Sequence, residues 1–422
     1  MKTYLGKYFM VGLLAVWFTS CNDDAFLVEK PMTFLVPENT FTSPSGIRQG
    51  ISGLHAAVRN GWYLGEELQE HGSIYKGLGT DVAFFGDNPG ATIFLCNYET
   101  YLTPTTEVVE INWDRAYQII QRANVLIQAI DDVPGERWDS SEQKEAYKAE
   151  AMFFRAWAYR LLTSFYGACP VIDYVISEPK TDFERDPVEQ AYLLMESDLI
   201  FGTGNLPDPG KEEEKGRITK GAAWQLLCEV YLAQHRYQDA VTAATNVLTR
   251  FNYQLMIERF GSTVDVFGSG DVYLDLFAFG NQNIAENTEA IWVLQFEPLT
   301  TDGYANARGG RAFGPAYFRV NFTPDGFKAI RGELYNGTYT GYSDTLGRGV
   351  AWLRPTTHVT HEIWHSDWDN DIRNAPHNIK RDFYYDAPGS AYDKQKIDFS
   401  LYPPGTRNAV IDTCQYIYPF FM

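Results

Sequence analysis

The sequence predicts a mainly α protein: a helical repeat scaffold followed by an irregular, loop-rich aromatic lobe. Three observations predict it. Between residues 46 and 249, apolar residues recur at three- and four-residue steps in one segment after another, the period that lays a stripe along one face of a helix. After about residue 250 that period stops, and Gly, Asn, Asp, Thr and aromatic residues take over. A chain of 422 residues is also too long for one small core and calls for two or more lobes.

The chain opens with Lys2 and Lys7 ahead of an apolar run over residues 8–18, then Thr19, Ser20 and Cys21. A basic flank, a short apolar core and small residues make a secretory signal, and a run this short does not span a bilayer. The cysteine placed directly after the small residues resembles a bacterial lipoprotein signal over residues 1–20, with Cys21 lipidated as the new first residue. An ordinary secretory signal cleaved nearby is the alternative. A lipid would turn a secreted protein into a membrane-anchored one. Residues 22–45 are polar and turn-rich, with Pro31, Pro37 and Pro44, and read as a tether ending in a helix cap.

Helices are expected over residues 46–70, with Ile47, Ile51, Leu54 and Val58 on one face, and over 107–130 and 142–166. Further helices are expected over 187–201, 217–235 and 237–249. Trp113 and Tyr117 fall on a helix face and read as core. Residues 217–249 form a helix–turn–helix pattern. Ala223, Ala233, Ala240 and Ala244 stand where the two helices press together, and Tyr231 and Tyr237 flank the turn. This pair resembles one tetratricopeptide-type repeat, and 107–130 with 142–166 resembles another, so the scaffold is read as tetratricopeptide-like. Residues 76–106 carry neither a helical period nor sustained strand alternation. In the second lobe, 289–297 ("EAIWVLQFE") is the one convincing strand. Long loops of this kind are functional or heavily packed.

A net charge of −19 repels phosphate backbones and anionic membrane surfaces, which excludes nucleic acid as a partner. Cys96, Cys169, Cys228 and Cys414 are widely spaced, with no Cys-x-x-Cys pair, so no zinc knot is indicated. Cys169 and Cys228 sit in apolar helical surroundings and read as buried thiols.

Residues 358–365 ("HVTHEIWH") contain His-Glu-x-x-His, which on a helix places two zinc-ligating imidazoles beside a general-base carboxylate. A catalytic zinc needs a third protein ligand and an open position for water. No Glu follows Glu362 in the chain, and Trp368 occupies the place of the glycine that the long zinc-protease motif needs, with Asp371 at its third-ligand position. His361, Glu362 and His365 are therefore read as a non-catalytic helical turn. Weak metal binding that includes His358, or a zinc hydrolase, is the remaining alternative. No nucleophile elbow, phosphate loop or dinucleotide fingerprint is present. No catalytic residue, metal ligand or cofactor is assigned.

Several segments together resemble the SusD/RagB family of outer-membrane lipoproteins. They are "NDDAFLVEKPMTFLVPENTFTS" after Cys21, "LGTDVAF" (78–84), "WDRAYQIIQRANVLIQAI" (113–130) and "AEAMFFRAWAYRLLTSFYGACPVI" (149–172). "GRITKGAAWQLLCEVYLA" (216–233), "NTEAIWVLQF" (287–296) and "RPTTHVTHEIWHSDWDNDIRN" (354–374) complete the set. The resemblance covers essentially the whole chain. It implies residues 21–250 as the N-terminal helical region and 251–422 as the C-terminal region. That region is expected to be incomplete, because the family continues beyond "YIYPFFM" into a further helix pair. It also implies a surface-exposed protein, lipid-anchored in the outer membrane, that works with a SusC-like TonB-dependent transporter to import oligosaccharides or, in some members, peptides. Such proteins are not enzymes. Asp23 and Asp24 resemble the signal that directs these lipoproteins to the outer face.

Sugar rings stack their C–H faces on aromatic rings, and their hydroxyls need Asn, Asp, Arg or Gln partners, best presented on loops over a rigid scaffold. Two regions supply such residues. One is 84–101, with Phe84, Phe85, Asn88, Tyr98 and Tyr101. The other is 304–354, with Tyr304, Tyr342, Trp352 and Arg354. For each, plain packing is the competing role.

Overall fold

The computed structural model describes residues 37–63, 77–85, 97–103, 105–264, 268–297, 313–341, 347–364, 369–404 and 420–421. The first lobe is a stack of helices: α1 (Pro44–Tyr63), α2 (Glu107–Asp132), α3 (Ser141–Tyr166), α4 (Val188–Asn205), α5 (Lys220–Ala233) and α6 (Tyr237–Arg250). Each packs chiefly on its neighbours in sequence, α2 on α3, α3 on α4, α4 on α5 and α5 on α6, while α1 lies against both α2 and α3. This is the expected tetratricopeptide-like arrangement of hairpins sharing one core.

Local chemistry sets the helix ends. The Ser140 hydroxyl accepts from the Gln143 amide at 3.1 Å and starts α3, and Gly167 stops it at φ +69°, a region that L side chains enter only at a cost. Glu107 and Glu110 sit in the first turn of α2, where the helix dipole favours negative charge. Ala149, Phe153, Ala156, Tyr159 and Leu162 form the stripe that α3 buries, and Ile119, Ala123, Leu126 and Ile130 of α2 meet it. Truncating one such buried aromatic to Ala costs roughly 3–5 kcal/mol. In the α5–α6 hairpin, Ala223, Ala240 and Ala243 are fully buried, and the turn passes through His235 at φ +59°.

Two buried ionic groups lock the helices together. Arg155 on α3 makes a bidentate pair with Asp198 on α4 (2.7 and 2.8 Å) and donates to Asn124 Oδ1 on α2 at 2.8 Å. Asn124 Nδ2 then donates to the carbonyls of Ile172 and Tyr174, which pins the loop after α3. Glu150 on α3 accepts from His55 of α1 at 2.7 Å, from Arg217, and from the Ile218 amide ahead of α5. Cys169 and Cys228 are buried free thiols, as expected.

The second lobe has its own core, built around Tyr317, Val320, Ile330, Phe383, Tyr385 and Ile397. It contains one short helix, α7 (Val272–Phe277), and two-stranded antiparallel pairs in place of a large sheet. β1 (Ala83–Phe85) pairs with β4 (Leu353–Pro355), β2 (Leu334–Tyr335) with β3 (Thr338–Tyr339), and β5 (Ile379–Lys380) with β6 (Phe420–Phe421).

Three expectations are corrected here. Residues 289–297 are not a strand: among the described residues none forms a ladder with them, and they run as an irregular strap. Ile291, Trp292 and Leu294 pack on the helical core, where the Trp292 ring meets Phe153 at 5.6 Å and Phe154 at 6.1 Å. Arg59 fastens the strap by donating to the Gln295 carbonyl at 2.8 Å. Apolar alternation therefore served burial against helices, which needs no partner strand. The β2–β3 hairpin was not foreseen, although Asn336-Gly337, with φ of +48° and +76°, is the turn dipeptide such hairpins favour. The loop region 76–106 also contributes a strand, β1, whose partner lies far along the chain.

Candidate functional site

The β1–β4 ladder brings together the two regions that the sequence nominated. In its register Ala83 faces Pro355, Phe84 faces Arg354 and Phe85 faces Leu353. Pro355, the last residue of β4, has no amide to donate. The Arg354 guanidinium lies over the Phe84 ring, 4.5 Å from its centroid, and both side chains are half-buried. Thr356 continues the pairing by donating its amide to the Val82 carbonyl at 3.0 Å and its hydroxyl to the Asp81 carbonyl.

The backbone below β4 is tightly determined. Ala351 is fully buried with φ +53°, a conformation that costs an L residue energy and persists only where its surroundings hold it. Its amide donates to the Gly314 carbonyl at 2.8 Å. Gly349 has no room for a side chain, because a Cβ there would lie 2.4 Å from the Pro315 carbonyl oxygen. This seat positions Trp352, half-buried, and Leu353, buried, directly before Arg354.

After the ladder comes the His-Glu-x-x-His segment. Residues His358–Ile363 form a π-helical turn, closed by the Trp364 amide on the Val359 carbonyl at 3.0 Å. A π turn bonds to the fifth residue back along the chain. His358 Nδ1 meets Glu362 Oε2 at 2.8 Å and its Nε2 lies 3.8 Å from Asp81 Oδ2. The carboxylate that a zinc protease would use as base is thus paired with a neighbouring imidazole. Asp371 holds Arg373 through both of its oxygens. His365 lies outside the described residues. Among the described residues, no group of three His, Cys, Asp or Glu side chains could hold a metal ion.

Of the other nominated residues, Tyr98 stands on a one-turn helix (Tyr98–Tyr101) capped by the Asn97 side chain, and is half exposed. Tyr101 belongs to the same turn, with its side chain outside the described set. Cys21, Asn88, Tyr304 and Tyr342, and the Phe85 side chain, also lie outside it. Sequence reasoning missed Asp81 and His358 as flanks of the ladder, because only the register makes them neighbours.

Trp113 and Tyr117 are only partly the core residues expected. They pack on the helical core yet line a surface groove of about 520 Å³ with Pro170, Ile172, Ile176 and Phe183. The Tyr117 hydroxyl donates to the Pro170 carbonyl at 2.7 Å, and burial drives its pKa far up. Arg185 covers the Trp113 ring at 5.4 Å. Gln121 is engaged both ways with the Ile176 backbone. Asp114, Gln118 and Arg122 also line the groove.

Comparison with known proteins agrees with this architecture. Residues 90–232 match the SusD-like family described as "Starch-binding associating with outer membrane". A SusD-like protein P25 from Formosa agariphila is 25% identical over 294 residues, 66% of this chain and 49% of that protein. A SusD-like protein from Bacteroides ovatus is 23% identical over 301 residues, 69% and 50% of the two chains. The chain spans about half the length of the curated relatives it matches. The fold is similar to a SusD homolog from Bacteroides thetaiotaomicron, with a TM-score of 0.60 at 18% identity over 88% of this chain and 63% of that one. It is also similar to a surface glycan-binding protein A from Bacteroides thetaiotaomicron in complex with laminarihexaose, with a TM-score of 0.57 at 17% identity over 81% and 64%.

Proposed function

We propose that the chain is a SusD-like, non-catalytic surface protein that captures oligosaccharides for import through a SusC-like TonB-dependent transporter, a reading supported by the family match over residues 90–232 and by the similar relatives. In this reading Cys21 carries the lipid that anchors it to the outer membrane, and no cofactor takes part. Among the described residues no helix is long and apolar enough to cross a membrane. The observation that carries the reading is the Phe84–Arg354 platform. Arg354 covers one face of the Phe84 ring, so a pyranose C–H face would meet the pair from the ring's other side, with the edge of the guanidinium donating to hydroxyls. Trp352 and Tyr98 extend the aromatic character on either side of the ladder in sequence.

Affinity electrophoresis and calorimetric titration against a polysaccharide panel test the reading. One or more glycans should bind without product release. Arg354→Lys keeps the charge but loses the planar fork, and should weaken binding about tenfold, or ~1.4 kcal/mol. Phe84→Ala should do at least as much. Binding of peptides alone would move the ligand to that class. Zinc-dependent cleavage that disappears in Glu362→Gln would make the protein a hydrolase. A Cys21→Ala chain should leave the membrane fraction.

A further inference from the structure

A cavity of about 390 Å³ lies where the two lobes meet, between the loop ahead of α5 (residues 209–219), the turn after α6 (251–253) and residues 282–293. Its walls are fastened to one another. The Gln254 amide donates to the Thr288 carbonyl at 3.3 Å, and the Met256 amide to Glu289 Oε2 at 2.9 Å. Asn283 and Gln295 exchange carboxamide hydrogen bonds at 2.7 and 3.1 Å. Gly216, at φ +88°, lies so close to the Gln295 side chain that a Cβ there would be 2.5 Å from it.

Two buried polar atoms of these walls have no hydrogen-bond partner among the described residues. Glu212, whose side chain is only 8% exposed, gives Oε1 to Lys215 Nζ at 3.0 Å, while its Oε2 accepts nothing. The indole N–H of Trp292 is buried and donates to nothing. A buried indole N–H ordinarily finds an acceptor, and an orphaned buried group is destabilising. Both residues line this one cavity, one with an acceptor to fill and the other with a donor.

We propose that the cavity is a second binding site, separate from the Phe84–Arg354 platform, for a neutral polyhydroxylated molecule of one or two sugar rings. Hydroxyl groups both donate and accept, so one such ligand can give a proton to Glu212 Oε2 and take the Trp292 N–H. The charges on the wall are paired, Glu212 with Lys215 and Arg217 with Glu150. An acid would meet the remaining Glu212 oxygen, and a cation would meet Lys215. Phe251 and Tyr253 add aromatic wall for C–H groups. The volume is at the small end of ligand sites, which suits a short sugar and excludes a long chain. A ligand here touches the helical lobe and residues 282–293 together, and so braces the junction between lobes.

Nitrogen–proton correlation spectra of the full chain, titrated with glucose, galactose, mannose and cellobiose, test this. The Trp292 indole signal, one of ten and identified by its loss in Trp292→Phe, should shift saturably with at least one of these sugars. Glucuronate at the same concentrations should leave it in place. Glu212→Met keeps the bulk but removes the acceptor, and should weaken the binding read at this indole about tenfold with far-UV circular dichroism unchanged. An indole that no sugar moves overturns the proposal and marks the cavity as a water site. So does an equal shift with glucuronate, a comparison made on the unaltered chain, and so does undiminished binding by Glu212→Met. A sugar that binds the chain without moving this indole overturns the second site alone and leaves the platform reading standing.

Discussion

The two lobes are held together by different means. In the helical lobe the core is made by neighbours in sequence, and the buried charges at Arg155–Asp198 and at Glu150 clamp helices together. In the second lobe regular structure is scarce, and aspartates act as staples between loops. Asp275 accepts from Arg259, from the Thr263 hydroxyl and from the Phe260 amide. Asp325 accepts from Ser390 and the Ala391 amide, and Asp386 from Lys394 and the Gly332 amide. A helix satisfies its own backbone, whereas a loop must borrow partners, and a carboxylate supplies four acceptor sites in one small group. The second lobe therefore uses ionised side chains to join loops, where the helical lobe uses them to clamp helices.

The largest expected effect breaks the helical side of this comparison. Arg155→Met leaves Asp198 buried without its partner and should cost about 3–5 kcal/mol in denaturant unfolding. The loss should appear in far-UV circular dichroism, while protection of residues 313–404 against hydrogen exchange is retained. Equal loss of protection in both lobes would show that they unfold as one unit.

Next is Asp275→Asn, which keeps the shape but removes the charge from four accepted hydrogen bonds. It should cost about 2 kcal/mol, read as faster exchange near residues 259–281 with the helices unaffected.

Acidification should separate the lobes without any substitution. Burial pushes Asp275 and Asp386 upward, but hydrogen bonds from Arg259 and Thr263, and from Lys394 and Gly332, outweigh it and hold both below the usual carboxylate value. Ser390 and Thr323 hold Asp325 below it as well. A lowered folded pKa means the stabilisation is complete above the unfolded value and is lost as pH falls through the folded one. Near-UV circular dichroism of the second lobe should therefore fade on descending below the ordinary aspartate value of 3.8. Glu150 follows the same sign, since His55 and Arg217 together overcome its burial. It is one group among many helical contacts, so far-UV signal should persist to lower pH.

The smallest effects compare two left-handed residues. Gly167→Ala meets open space and should cost only the conformational term, about 1 kcal/mol. Ala351→Gly relieves the same strain in the second lobe but loosens the unfolded chain, so thermal unfolding should shift by well under 1 kcal/mol.

Much of the helical lobe was legible because helical order is local. The stripe of α3, its Ser140 cap and its Gly167 stop are all contained in one short segment. The Asn336-Gly337 hairpin was equally local and was simply outweighed by the loop-like texture around it. Residues 289–297 misled because alternation records only that one side is buried, and the burying surface here is a helix pair. Phe84 and Arg354 were each nominated, but nothing local joined them.

The sequence by itself determined the helices, their caps and the change of texture near residue 250, since each follows from residues within a few turns of one another. Only the tertiary structure decided the candidate site. Its ladder joins positions as far apart as Asp81 and Thr356, separated by 275 residues. Pairing at such a distance is set by backbone hydrogen bonds and by the buried seat of Ala351, and neither leaves a period in the sequence to read.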